Sequence, residues 1–166
     1  MFGAGGGTSS YREAEDTDLI VLWGSNARET HPIFFHHVLK AVHKGARLYA
    51  IDPRRTSSAE WADSWLGLDV GSDIALANAM AREIIAAGLE NREFIERATV
   101  DFEAYKAKVD SYTLEYAERE TGVPAGAIRE LAHALANAWA SSLIASAGTP
   151  VSRSAYSRVY GSTPAR

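Results

Sequence analysis

The sequence predicts an α/β fold built on a parallel sheet, and three observations carry that reading. An unbroken apolar run, Leu19-Ile20-Val21-Leu22-Trp23, ends in the turn Gly24-Ser25-Asn26. A helical pattern follows, with Phe35, Val38, Leu39 and Val42 at the i, i+3, i+4, i+7 spacing of one helix face. A second strand-like run, Arg47–Ile51, ends in Asp52-Pro53-Arg54. Five apolar residues without alternation fit a strand buried on both faces, as at the centre of a parallel sheet. The segment 24–46 is long enough for a helical crossover between parallel neighbours.

In chain order, residues 1–10 are Gly-rich. Gly3, Gly5 and Gly6 begin like a dinucleotide fingerprint, but Thr8 stands where its last Gly belongs, and the run precedes a strand instead of following one. A loop is the reading there. Ser10 and Glu13 have the spacing of a capping box for a short helix. Pro32 suits the first position of the crossover helix, with Thr30 or His31 as cap. His43-Lys44-Gly45 ends it, with positive charge near the dipole's negative end and then Gly. A short helix is expected over Ser57–Asp63 and a third strand over Trp65–Leu68. Gly71-Ser72-Asp73 opens a strong helix, with Ala77, Met80, Ala81 and Ile84 in phase and Gly88 at its end. Short helices follow near Arg92–Arg97, Phe102–Val109 and Leu114–Glu120. Pro124 starts another, with Ile128, Leu131, Ala132 and Leu135 on one face. Ser142–Ala147 reads as a strand, and Val151–Arg166 as unstructured.

Composition narrows the function. The 166 residues fit one domain with a real core, and a net charge of -4 gives no basic footprint for nucleic acid. There is no Cys, hence no thiolate nucleophile and no Cys-held zinc or iron–sulfur cluster within this chain. No apolar stretch approaches the ~20 residues of a membrane-spanning helix, the first ten residues lack the basic start of a secretory signal, and the cytoplasm is the default compartment. All 21 acidic residues lie at or before Glu130, so residues 1–130 carry a net -7 and the remainder +3. Such a shift marks a linker, a disordered end or a change of origin.

Three loops carry the candidate chemistry. Gly24 lets an anion approach the backbone, Ser25 adds a hydroxyl, and Asn26 can bond phosphate or a base; an ordinary strand-to-helix turn would look the same. Asp52 stands where an acid accepts hydrogen bonds from ribose hydroxyls, and Arg54 and Arg55 offer forked donors to phosphate. Their bland readings are an Asp-Pro turn and a solvated basic pair. Asp73 can accept the two adjacent N–H groups of a guanine, while Ser72 caps the helix and Asp73 favours its dipole. His31 can reach a phosphate beside the first turn. His36 and His43 are two helical turns apart, too far for one metal ion without other ligands. No Ser-His-Asp signature is present, and Glu115, Glu118 and Glu120 read as a solvated helix face.

Residues 2–135 resemble the catalytic subunit of formate dehydrogenase, within the molybdopterin-dependent oxidoreductases. The stretches that carry the likeness are Phe2–Ser10, Asp18–Asn26, Glu29–Pro32, Gly45–Arg47, Asp52–Thr56 and Gly71–Leu76, in that order and spacing. The resemblance implies a Rossmann-like three-layer domain that grips molybdopterin guanine dinucleotide, whose metal is molybdenum or tungsten. Gly24, Ser25 and Asn26 would seat the phosphate region, Asp52, Pro53 and Arg54 would surround the guanosine ribose, and Gly71, Ser72 and Asp73 would read the guanine. It also implies oxidation of formate to carbon dioxide, with electrons leaving through iron–sulfur clusters to an acceptor.

Family subunits are several times longer and carry Cys-rich iron–sulfur and metal-ligand regions, so this chain is expected to be a fragment of a larger multidomain enzyme. Residues 1–135 would form the cofactor-binding domain. The likeness is expected to stop near Ala134–Leu135, and 136–166 to be a divergent, poorly ordered tail from a frame change or an unrelated junction. No catalytic residue and no metal ligand is expected here. Implied partners are the dinucleotide and the enzyme's remaining domains or electron-transfer subunits. Trp61, Trp65 and Trp139 are expected to be exposed where a larger core once covered them. Two rivals stand beside this reading: a stand-alone nucleotide-binding module, and an NAD(P)-dependent dehydrogenase domain, against which the missing G-x-G-x-x-G after strand one argues.

Overall fold

In the computed structural model, which describes residues 10–138 and the backbone of 142–146, four parallel strands form one sheet. They are β1 (Leu19–Trp23), β2 (Arg47–Ile51), β3 (Ser64–Leu66) and β4 (Ser142–Ser146), in the order β3-β2-β1-β4. The chain divides into two compact units, residues 1–66 with 138–166, and residues 67–137.

The sheet belongs to the first unit. β1 is central, with Leu19 opposite Arg47 on one side and Ser142 on the other. Leu19, Ile20, Val21 and Leu22 are all buried, which is why the run shows no alternation. A 3-10 helix over Tyr11–Asp16 precedes β1, with the expected capping box, in which the Ser10 N–H donates to the Glu13 carboxylate at 2.9 Å. The crossover contains a four-residue helix, α1 (Ala27–Thr30), which the sequence pattern does not reveal, and then α2 (Pro32–His43) with Pro32 at its start as expected. The buried stripe of α2 is Phe34, Phe35, Val38 and Ala41, with Leu39 and Val42 partly buried. It is thus rotated slightly from the expected face, because Phe34 joins the core beside Ile20, Leu22 and Leu48.

The helix expected over Ser57–Asp63 is only a 3-10 turn, Ala59–Trp61. Asp63 explains the shortening. Its N–H donates to the Leu48 carbonyl at 2.8 Å, and its carboxylate accepts the Leu48 N–H at 2.7 Å. Those bonds draw the chain into the sheet before a helix can extend. β3 therefore begins at Ser64, and it ends at Leu66, whose carbonyl accepts the Asp52 N–H.

The second unit is helical: α3 (Asp73–Ala86), α4 (Arg92–Ala98), α5 (Phe102–Val109), α6 (Leu114–Thr121) and α7 (Ala125–Asn137). α3 packs against α5, α6 and α7. Its buried face is Ala75, Leu76, Ala79 and Met80, so that of the expected Ala77, Met80, Ala81 and Ile84 only Met80 lies on it. An alanine-rich helix offers several apolar stripes, and Leu76 decides which one is covered. Gly88 (φ +66) ends α3 with bonds from its own N–H to Ile85 and from Leu89 to Ile84. α6 is capped by the Thr113 hydroxyl, which accepts the Tyr116 N–H at 3.1 Å. Ile128, Leu131 and Ala132 of α7 are buried as expected. The expected unstructured stretch Val151–Arg166 lies outside the described residues, as do Trp139 and the glycines of residues 1–9.

Candidate functional site

In the first unit, two loops leave the C-terminal ends of adjacent strands, where open α/β sheets bind ligands. The first is Gly24-Ser25-Asn26, after β1. The Gly24 N–H donates to the Ile51 carbonyl at 2.8 Å, which ties the turn to the end of β2. Gly24 has φ +58, a conformation costly for any side chain, and among the described residues, its chain neighbours aside, no atom lies within 4 Å of where a Cβ would stand. Ser25 and Asn26 are half-buried.

Asn26 is drawn into a network that the sequence does not display. Its Oδ1 accepts the hydroxyls of Ser57 and Ser58, each at 3.1 Å. Ser58 is fully buried, and its Oγ also accepts the Arg28 N–H at 2.9 Å. The one Ser57 hydroxyl proton is shared between Asn26 Oδ1 and the nearer Glu29 Oε1, at 2.9 Å. The Ser57 hydroxyl and then the Asn26 amide hold the Glu29 carboxyl below its ordinary range, helped by the charges of Arg54 and Arg28. The Asn26 oxygen is therefore committed to the segment after β2.

That segment begins with Asp52-Pro53-Arg54. Asp52 Oδ1 accepts the Arg54 N–H at 2.8 Å, an Asx turn that needs only one of the two carboxylate oxygens. The Asp52 N–H is spent on Leu66, and its carbonyl accepts the Trp65 indole N–H at 2.9 Å. Pro53, Arg54 and Arg55 are exposed. An exposed guanidinium, an acid at the end of β2 and a glycine turn are the donors and acceptors that a phosphorylated ribose requires.

His31 is exposed, with Nδ1 2.9 Å from Thr30 Oγ1, which in turn donates to the Asn26 carbonyl at 3.0 Å. His31 precedes α2 but makes no side-chain cap bond to it. The other histidines disperse: His37 bonds Glu15 at 2.6 Å, and His43 bonds its own helix at Leu39. Among the described residues, no group of three His, Asp or Glu could hold a metal ion.

Gly71, Ser72 and Asp73 lie in the second unit, at the start of α3. Ser72 occupies the N-cap position, but its hydroxyl donates to the Asp69 carbonyl at 2.6 Å instead of capping the helix. Asp73 stands in the first turn, where its charge favours the dipole. Beside this loop an open hollow of about 380 Å³ is lined by Val70, Ile74, Tyr112 and Tyr116 among others. Glu115, Glu118 and Glu120 are exposed along α6, as a solvated face should be.

Sequence reasoning missed Ser57, Ser58, Glu29 and Trp65 as parts of the first unit's site. Serines after an Asp-Pro turn carry no signal of their own, and their partners lie about thirty positions upstream. An exposed Trp on a short strand was the one visible cue.

Comparison with known proteins gives this geometry its relatives. A family model described as molybdopterin oxidoreductase matches residues 4–158. The match runs beyond Ala134–Leu135, where the likeness was expected to stop, and takes in β4. The chain is 40% identical over 143 residues to an F420-dependent formate dehydrogenase subunit alpha of Methanocaldococcus jannaschii, covering 86% of this chain and 21% of that protein. It is 37% identical over 142 residues to formate dehydrogenase H of Escherichia coli, covering 86% of this chain and 20% of that protein. The solved acetylene hydratase from Pelobacter acetylenicus superposes with a TM-score of 0.71 at 31% identity, over 82% of this chain and 21% of its own. The chain thus spans about a fifth of the length of these relatives. With a parallel sheet, paired loops at its C-terminal edge and a family match over nearly its whole length, the chain belongs to the molybdopterin oxidoreductase family.

Proposed function

We propose that this chain is the guanine-dinucleotide-binding part of a longer molybdopterin-dependent formate dehydrogenase. The observation that carries the proposal is the pair of loops after β1 and β2, locked together through Asn26, Ser57 and Ser58, in a chain about 40% identical to formate dehydrogenase alpha subunits. In this reading the Gly24 backbone, the Ser25 hydroxyl and Arg54 hold the phosphates, with His31 nearby. Asp52 accepts the ribose hydroxyls beside Pro53. Gly71, Ser72 and Asp73 take the guanine edge. The bound metal–pterin group supplies the two-electron acceptor for formate oxidation. This chain's own residues bind and orient its nucleotide end, and its partners are the rest of the enzyme and whatever carries electrons from it. The cofactor's identity as a guanine dinucleotide, and iron–sulfur clusters elsewhere in the enzyme, belong to the same proposal.

The solved acetylene hydratase supports a second reading, in which the same nucleotide-binding part serves a different reaction. Both readings require guanine nucleotide binding. Calorimetry of the full 166-residue chain with GMP, GDP and NAD tests it. GDP should bind more tightly than NAD, and Asp73→Ala should abolish the preference for guanine over adenine nucleotides. Tighter NAD binding, or no nucleotide binding at all, would sink the proposal.

A further inference from the structure

Trp65 stands out from the rest of the candidate site because it is a large apolar side chain that remains exposed, at 39%, beside a polar loop. It sits on β3, the edge strand, opposite Ala50 of β2 and two positions short of Asp52 in register. Its indole N–H is anchored on the Asp52 carbonyl at 2.9 Å. That bond fixes the ring against the residue that would hold the ribose, so little side-chain freedom remains to be lost on binding.

The strand order supplies the direction. Gly24–Asn26 leaves β1, Asp52–Arg54 leaves β2, and Trp65 belongs to β3. Neighbouring strands lie about 4.8 Å apart. A nucleotide with its phosphates after β1 and its ribose at the end of β2 carries its base toward β3. We propose that Trp65 is the stacking platform for the face of that base, an inference that rests on the nucleotide reading above. Every nucleobase offers a π-face, so Trp65 adds affinity without choosing between guanine and adenine, and the choice falls to edge contacts. A Trp65 that served only to close the sheet edge would hold the Asp52 loop in place, and its loss would weaken all ligands of that loop alike.

The test uses the full chain with GDP and, as a ligand without a base, ribose 5-phosphate, read by calorimetry and by tryptophan emission. GDP should quench the emission, and Trp65→Phe should remove most of the quench while keeping most of the affinity. Trp65→Ala should weaken GDP about tenfold or more and leave ribose 5-phosphate unchanged. GDP binding with equal quenching in the wild type and Trp65→Phe overturns the stacking role alone. Equal loss of both ligands in Trp65→Ala does the same, leaving nucleotide binding intact. Failure of GDP to bind the wild type overturns both proposals together.

Discussion

The Ser58 hydroxyl accepts the Arg28 N–H and donates to Asn26 Oδ1, in a side chain with no exposed surface. One small residue thereby joins the turn after β1 to the segment after β2. Removing it strands polar groups that water cannot readily reach, and such losses cost about 1–3 kcal/mol. Ser58→Ala should therefore lower stability by that amount in a urea melt, whereas Ser57→Ala, at a half-buried position with water at hand, should cost less. Equal small losses from both would mean that the clamp does not hold the loops. The candidate loops themselves were legible at this scale, because Gly, Asn and Asp-Pro announce turns through their own conformational chemistry. The clamp was not, because a serine's value here comes from a partner thirty residues away.

At the scale of elements, β1 and β2 take the bounds expected from their sequence, since β1 is hemmed in by Asp18 and Gly24 and β2 starts just after Gly45-Ala46 and stops at Asp52. α5 also matches, whereas α1 has too few residues to show a period, and β3 starts on a polar Ser64 that reads as loop. Glu15 shows how two elements are fastened. From the 3-10 helix it bonds Lys40 at 3.0 Å and His37 at 2.6 Å on α2, and Lys44 lies 3.6 Å away. The Lys40 bond, then the His37 bond, lowers its carboxyl from 4.5 to about 2. A depressed carboxyl stabilises the fold above its unfolded value and ceases to do so as the pH falls through the folded one. Wild type should thus melt at a higher temperature than Glu15→Gln near pH 7, with the gap closing between pH 4.5 and about 2. A gap that persists at pH 2 would assign the difference to packing.

For the whole molecule, family membership was legible because several weak motifs kept their order, and order survives where single motifs are ambiguous. The division into two units was not legible, because the helices after residue 67 carry the same kind of apolar stripe as the crossover helix. The chain spans about a fifth of its relatives' length and contains no Cys. The 166-residue chain alone should accordingly show no formate-dependent dye reduction, while a complete enzyme containing it should. Turnover by the isolated chain near a whole enzyme's rate would refute the proposed division of labour. The sheet's topology has a consequence for how the molecule is made. β4 pairs with β1 across most of the sequence, Ser142 opposite Leu19. During synthesis from the N-terminus, the most apolar strand therefore waits with one row of backbone donors and acceptors unpaired until the helical unit has emerged. For that interval the nascent chain offers an adhesive ribbon that only its own late strand, or a chaperone, can cover.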